Sequence, residues 1–301
     1  MLSTESLEVS SLFEETITGK PFTDFTDNHM HIDPVNGEGI DAVRKFERAG
    51  GRFLFLVSKT TADWNFRSDV GGFEKLFDAT IGLSEEINEK TGVTSFPVIG
   101  VHPAEFSRMC EKSSIKKALN NTKAALDAAG GRIEDGKAVA IGEVGRPHFE
   151  VSREVLDASN EVMVHAFEIA SDIDCAVQLH TESVGDVQLH EFGRLAASTG
   201  LDPKRVIKHY SPPLIAAAEE AGIFPSLVAS EDNIKTAIQQ GSRFLMESDY
   251  IDEAERPGAV VGPKSVPRVS LKLMGAGFLT EDDLIKIHKE NIEDAYGISL
   301  P

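Results

Sequence analysis

Residues 52–57 read Arg52-Phe53-Leu54-Phe55-Leu56-Val57, a short run in which nearly every side chain is apolar. Strands buried on both faces of a parallel sheet have this composition, because neither face meets water. Residues 138–141, Ala138-Val139-Ala140-Ile141, repeat the pattern. The two runs therefore predict a parallel sheet covered by helices, rather than an antiparallel sheet with one solvated face.

Outward from these runs, apolar strand-like segments alternate with amphipathic helical patterns along most of the 301 residues. The predicted strands are 25–33, 52–58, 95–102, 138–145, 175–181, 205–210, 223–229 and 243–249. The predicted helices are 39–49, 70–90, 114–129, 152–171, 184–198, 212–221, 232–240 and 281–296. This count predicts an α/β fold of the TIM (β/α)8 barrel type. A doubly wound open sheet is the alternative, although no Gly-x-Gly-x-x-Gly follows a strand. We expect 21–301 to form one barrel domain and 1–20 an N-terminal arm or helix outside it.

Composition restricts the class of function. The formal charge of −19 argues against a broad nucleic-acid-binding surface, which needs clustered Lys and Arg. Two cysteines, Cys110 and Cys175, are typical of reduced thiols rather than of a disulfide framework. Neither a signal-peptide pattern nor an apolar run of about 18 residues is present. We therefore expect a cytoplasmic protein with no membrane partner.

Side chains that bind metals stand at the carboxyl ends of the predicted strands. His29 and His31 share one face of the first strand, because side chains two residues apart point the same way. In a barrel the strand ends meet at one rim, where active sites lie. Each side chain alone fits a hydrogen-bonded core position or a salt bridge, but their coincidence favours a site for two divalent metal ions. The remaining candidates are Glu143, His180, His209 and Asp249.

The order of these motifs resembles that of the TatD-like metal-dependent hydrolases of the amidohydrolase superfamily. The matching stretches cover about residues 24–298, nearly the whole chain. They are Asp27-Asn28-His29-Met30-His31-Ile32-Asp33, Ile99-Gly100-Val101-His102-Pro103, Ala140-Ile141-Gly142-Glu143-Val144-Gly145, the His180 and His209 strand ends, Glu247-Ser248-Asp249, and Glu290-Asn291-Ile292-Glu293-Asp294-Ala295-Tyr296-Gly297.

The resemblance implies a binuclear centre that holds Zn, Mg or Mn. By this analogy, His29, His31 and Asp249 bind the first metal, His180 and His209 bind the second, and Glu143 bridges the two. Glu143 and Asp249 would then be the catalytic carboxylates, with Asp249 orienting a metal-activated water and taking its proton. The expected substrate is a small phosphoester or the end of a nucleic acid, which would make the protein a candidate deoxyribonuclease.

The residues expected to contact substrate differ from those that family members commonly have. Members commonly continue the strand-four motif as Gly-Leu-Asp-Tyr, whereas this chain has Gly145-Arg146-Pro147-His148. After the strand-five histidine they commonly carry Ser-Arg, whereas this chain has Thr181-Glu182. Arg146, His148 and Glu182 are therefore predicted to contact substrate, together with His102 at the end of strand three. Arg256 and Lys264 are further cations, more typical of solvated loops.

Two other functions fit the same pattern. One is a mononuclear amidohydrolase or lactonase that acts on C–N or carboxylic ester bonds of a small molecule. The other is a metal-stabilised binding protein without catalysis, which the complete ligand set argues against. The sequence predicts neither the natural substrate nor the oligomeric state.

Overall fold

A computed structural model describes residues 24–253 and 260–301. The predicted N-terminal arm, residues 1–20, and Arg256 lie outside the described residues. The described strands form a parallel sheet in the order β8-β7-β6-β5-β4-β3-β2-β1-β9. They are β1 (Phe25–His31), β2 (Gly51–Val57), β3 (Thr94–Ile99), β4 (Ala140–Gly145), β5 (Ala176–His180), β6 (Val206–Lys208), β7 (Phe224–Val228), β8 (Leu245–Glu247) and β9 (Tyr250–Ile251).

The sheet closes on itself through β8 and β9. β8 pairs with β7 at one edge, and β9, only two residues further along the chain, pairs with β1 at the other edge. The Asp249 N–H also donates to the carbonyl of His29 at 3.0 Å. The predicted TIM barrel is therefore confirmed, and the open doubly wound sheet is excluded.

Helices surround the barrel on the outside. Their bounds are Ile40–Arg48, Val70–Lys90, Pro103–Lys112, Ile115–Glu134, Arg153–Ile173, Asp186–Ser198, Ile215–Glu220, Glu231–Ile238, Ser265–Gly275, Glu281–Ile285 and Asn291–Tyr296. Short 3₁₀ turns cover Thr61–Trp64 and Pro203–Arg205, and a π-helical turn covers Lys286–Glu290. The Ser152 and Thr280 side chains accept backbone N–H bonds at helix starts, as the sequence predicts.

Two apolar layers hold this architecture. Inside the barrel, side chains such as Phe55, Val98 and Ile207 pack on Tyr296 from the last helix. Outside the strands, a larger cluster that includes Phe77, Phe167 and Phe192 joins the helices to the sheet. The barrel interior is thus a packed core, and the polar side chains of the strand ends are confined to its carboxyl-terminal rim.

Several predicted bounds are wrong in informative ways. Residues 101–102, predicted as the end of a strand, lead directly into the unpredicted helix Pro103–Lys112. The helix predicted from Pro212 begins at Ile215, and the predicted helix 281–296 contains the π-helical turn. A second unpredicted helix, Ser265–Gly275, packs beside β1. Across 24–253 and 260–301, no helix has both the length and the apolar character needed to cross a membrane.

Candidate metal centre

The barrel brings the six predicted metal-binding side chains to one point on its rim. All but His180 are buried, with at most 8% of the residue exposed, which is unusual for ionisable groups unless they are paired. Three overlapping sets of donor atoms have the spacing to hold a metal ion: His29 with His31 and Asp249, His29 with Glu143 and His209, and His102 with Glu143 and His180. Glu143 belongs to two of the three sets and lies at the centre.

The two oxygens of Glu143 face different histidines. Oε1 lies 2.8 Å from Nδ1 of His180 and 3.4 Å from Nε2 of His209. Oε2 lies 3.4 Å from Nε2 of His31 and 3.6 Å from Nε2 of His29. One carboxylate thus separates two pairs of imidazoles, as a residue that bridges two cations would.

Asp249 completes the side of the centre that holds His29 and His31. Its Oδ1 lies 3.8 Å from Nε2 of His29 and 3.9 Å from Nε2 of His31. Its backbone has a φ of 47°, a left-handed conformation that few residues other than Gly, Asn and Asp adopt readily. This turn after β8 directs the carboxylate back over the first strand.

The hydrogen bonds of His29 and His31 test whether a cation fits between them. Nδ1 of His29 lies 2.7 Å from the amide oxygen of Gln178, and Nδ1 of His31 lies 3.1 Å from the carbonyl of Val57. Because both partners accept, each Nδ1 carries a proton, and the neutral rings present lone pairs at Nε2. These two Nε2 atoms are 3.1 Å apart. Facing lone pairs at this distance require a positive charge between them, which a metal ion or a proton supplies.

The pKa values identify where this positive charge lies. For His29, burial lowers the pKa, but the charges of Glu143, Glu247 and Asp249 outweigh burial and raise the pKa to about 9. For His31, burial and the charge of His29 lower the pKa to about 3. One proton is therefore held between the two rings when no metal is bound, and a bound cation takes its place.

The carboxylates of the centre respond to their surroundings in opposite ways. Burial raises the pKa of Glu143, but its electrostatic interactions and hydrogen bond with the surrounding histidines, chiefly His102, His29 and His180, outweigh burial and hold the pKa well below its usual value. Burial instead holds the pKa of Asp249 well above the usual value, because His29 compensates only in part. Glu143 is therefore ionised in the folded protein, whereas an ionised Asp249 needs a further cation.

A buried polar network lies beneath the centre and joins its two sides. Gln178 donates to the carbonyl of Asn28 at 2.9 Å, and the Tyr296 hydroxyl donates to Asn28 Oδ1 at 2.7 Å. Asn28 then donates to the Ser226 hydroxyl at 3.0 Å, which in turn donates to Glu247 at 2.5 Å. Glu247 Oε1 lies 2.9 Å from Nδ1 of His209.

This network fixes the orientation of His29 at one end and places the Glu247 carboxylate beside His209 at the other. Second-layer contacts of this kind commonly orient metal-binding histidines. The sequence interpretation did not assign roles to Gln178 and Glu247. The signal was present, because Gln178 shares a strand face with His180 and Glu247 is a carboxylate within an apolar strand.

The loop after β4 places His148 on the outer side of His180. Gly145 has a φ of 138°, and a Cβ there would lie 2.4 Å from the carbonyl of His180, so only glycine permits this close approach. The next residue, Arg146, donates its N–H to the same carbonyl at 2.9 Å. Nδ1 of His148 then lies 2.8 Å from Nε2 of His180. His148 thus contacts a candidate ligand directly, in addition to lining the cavity.

Arg146 has a different environment from the predicted substrate contact. Its guanidinium donates to Asn160 at 2.6 Å and to Glu182 at 3.3 Å, pairs with Glu191 at 2.5 Å, and stacks on Phe192. It is 7% exposed and is not among the described residues that line the cavity. Its charge is already compensated by the two carboxylates, so its hydrogen bonds position Glu182.

His102 presents a hydrogen-bond donor to the metal centre. Its Nδ1 accepts the N–H of Ala104 at 3.0 Å at the start of the helix Pro103–Lys112. Burial lowers the pKa of His102 to about 3 despite the opposing charge of Glu143, so the ring is neutral. With Nδ1 accepting, the proton lies on Nε2, which is 3.9 Å from Glu143 Oε2. A protonated Nε2 offers hydrogen bonds rather than a lone pair to a metal.

A cavity of about 770 Å³ opens above the centre. Glu143, His148, His180, His209 and Asp249 all contribute to its wall, as do His31, His102 and Glu182. Its volume is in the range of small-molecule sites. Lys264 lines a separate depression with Lys45 and Arg268, away from this cavity.

The comparisons with known proteins define first the class and then the family. The crystal structure of the Escherichia coli K12 TatD homologue YJJV covers 92% of this chain and 99% of its own, at 18% identity and a TM-score of 0.64. A variant of a phosphotriesterase-like lactonase of Deinococcus radiodurans covers 91% and 95%, at 12% identity and a TM-score of 0.62. The barrel and its cluster of His, Glu and Asp donors are those of metal-dependent hydrolases.

The family follows from the sequence itself. The model of the TatD related DNase family matches residues 26–297. An uncharacterised protein of Methanocaldococcus jannaschii is 41% identical over 277 residues, 91% of this chain and 96% of the relative. The chain belongs to the TatD-related family and is a TatD-type metal-dependent hydrolase.

Proposed function

We propose that the protein is a binuclear hydrolase that cleaves phosphoester bonds of a small molecule or of a nucleic-acid end. One observation carries the proposal: the two oxygens of Glu143 face separate pairs of histidine nitrogens at 2.8–3.6 Å. His29, His31 and Asp249 would hold one cation, His180 and His209 the other, and Glu143 would bridge them. The four imidazoles favour Zn²⁺ over Mg²⁺ as the resident metal.

Each side chain of the centre has a separate role in the proposed reaction. Cations held by these residues would lower the pKa of a water to about 7 and stabilise charge on attacking and leaving oxygens. Asp249 orients the attacking water and accepts its proton, while Glu143 keeps the two halves of the centre together. The Nε2–H of His102 donates a hydrogen bond to an oxygen of the substrate, where negative charge develops.

The size and charge of the site favour a small substrate or a chain end over long nucleic acid. The cavity holds about 770 Å³, and the chain carries a net charge of −19.

Cys110 and Cys175 are buried free thiols, consistent with a role in the reducing cytoplasm.

Turnover assays test the proposed reaction. The protein loaded with Zn²⁺, Mn²⁺ or Mg²⁺ is assayed against aryl phosphomonoesters, phosphodiesters, short single-stranded DNA, RNA and lactones. We expect hydrolysis of phosphoesters, and of DNA only from an end, with loss of both activities on chelation. Efficient lactone hydrolysis without phosphoester hydrolysis would contradict the proposal and favour a lactonase.

His148 serves in this function as a positioning residue for His180. With Nδ1 of His180 directed at Glu143, its Nε2–H donates to Nδ1 of His148. Replacing His148 with phenylalanine removes the acceptor, so the affinity for one of the two metals is expected to fall about 10-fold to 100-fold. Replacing it with asparagine, whose Oδ1 occupies a similar position to Nδ1, is expected to retain most of the affinity.

The measurement is competition for Zn²⁺ or Co²⁺ against a chelator, with activity as a second readout. His190→Phe is the control, because His190 contacts Glu220 on the helical side of the barrel. Equal metal affinity in His148→Phe and wild type would refute the positioning role. Normal affinity with lost activity in both His148 variants would instead indicate direct contact with substrate.

A further inference from the structure

In the described part of the cavity wall, one cation has no carboxylate partner. Among the described residues that line the cavity, the Lys and Arg side chains are Lys59 and Arg108. Lys59 is 8% exposed, and its Nζ lies 2.8 Å from Asp33 Oδ2 and 3.2 Å from Glu253 Oε1. Two carboxylates therefore already compensate the charge of Lys59.

Arg108 differs from Lys59 in being exposed and in having open donors. It lies on the helix that starts at Pro103, and its Nε donates to the carbonyl of Ala104 at 3.1 Å, one turn nearer the rim. This bond folds the side chain back toward the start of the helix, where His102 is the N-cap residue. Its Nη1 and Nη2 groups have no hydrogen bond or ion pair within 24–253 and 260–301.

The carboxylates of the wall outside the metal centre are each engaged elsewhere. Asp63 accepts from the N–H and hydroxyl of Thr60 at 2.8 and 2.7 Å. Glu182 accepts from Arg146, and Glu253 pairs with Lys59. A planar guanidinium with two free nitrogens binds carboxylates and phosphates through paired hydrogen bonds. In a cavity otherwise rich in carboxylates, it is the place on the described wall outside the metal centre where an anion is most favourable.

We propose that Arg108 forms an anion subsite that selects substrates with a second oxyanion, a carboxylate or phosphate, beyond the group that is hydrolysed. The proposal rests on the proposed function, in which the scissile phosphoester occupies the metal centre. Arg108 then acts as a specificity-determining residue on the cavity wall. The missing arginine after the strand-five histidine is thereby replaced by one from a different wall of the cavity.

Binding of inert analogues tests the subsite without requiring turnover. Phenylphosphonate, 4-carboxyphenylphosphonate and 1,4-phenylenebisphosphonate are titrated calorimetrically into the metal-loaded full-length chain. We expect the two analogues with a second anion to bind at least about 10-fold more tightly than phenylphosphonate. Arg108→Gln is expected to abolish this difference and to change phenylphosphonate affinity by less than about twofold. Lys112→Gln, on the same helix but outside the cavity lining, should behave as wild type.

Three outcomes would overturn the subsite: equal binding of the three analogues to wild type, an equal loss for all three in Arg108→Gln, or no binding of any. The preferred second anion, carboxylate or phosphonate, identifies the source of the charge in the natural substrate. Failure of the proposed function is a separate result, because it shows as absence of phosphoester turnover whatever the analogues do.

Discussion

Replacing Glu143 with glutamine is expected to reduce kcat for phosphoester hydrolysis by about 10³-fold or more. Glutamine has the same shape but is neutral, so it cannot serve as an anionic ligand to two cations at once. The substitution should leave His29 and His31 on their strand, since both Nδ1 atoms keep their acceptors. Steady-state kinetics with saturating metal provide the measurement.

Glu191→Gln is the matched control for this variant. It makes the same change from carboxylate to amide on a residue that pairs with Arg146 and lies outside the cavity lining. Its activity should stay within about threefold of wild type. Activity of Glu143→Gln close to wild type in metal-buffered assays would show that the carboxylate does not bridge.

Replacing Asp249 with asparagine is expected to lower activity by about 10³-fold while making the metal-free protein more stable at pH 7. Activity falls because asparagine cannot accept the proton of the attacking water. Stability rises because burial holds the pKa of Asp249 well above its usual value of 3.8, so ionisation of this carboxyl is unfavourable in the folded state. Asparagine also adopts the left-handed backbone of this position readily, so the fold is retained.

The pH dependence of stability tests the predicted gain in stability separately from the predicted loss of activity. The folded state binds more protons at Asp249 than the unfolded state does between pH 3.8 and the raised pKa, so the contribution of Asp249 to wild-type stability falls across that window as pH rises. The advantage of Asp249→Asn should therefore shrink as pH falls toward 3.8. Denaturant unfolding in chelator at pH 4.5 and pH 7 measures it. A less stable Asp249→Asn protein at pH 7 would contradict this account of the buried carboxyl.

The fold and the clustering of the six candidate ligands could be predicted because both depend on local patterns. Apolar runs such as 52–57 indicate buried parallel strands, and the barrel then brings strand ends together whatever their distance in sequence. His29, Glu143 and Asp249 therefore meet as expected. Their roles as ligands stay predictions until a metal is measured.

The environment of the loops could not be predicted in the same way. Arg146 was expected to face substrate, but its partners Glu182 and Glu191 come from the loop after β5 and from the following helix, a tertiary arrangement that no local pattern reveals. The helix Pro103–Lys112 has a start that the sequence indicates, because proline is favoured in the first turn of a helix. Without that helix, neither the donor role of His102 nor the place of Arg108 on the cavity wall could be recognised.

Metal content tests the central claim most directly. The purified protein is stripped with a chelator, reloaded with excess Zn²⁺, desalted and analysed by elemental mass spectrometry beside Glu143→Gln treated identically. A Glu143-bridged binuclear centre predicts two zinc ions per wild-type chain and no more than one in the variant. One zinc per chain in wild type, or two in both proteins, would contradict it.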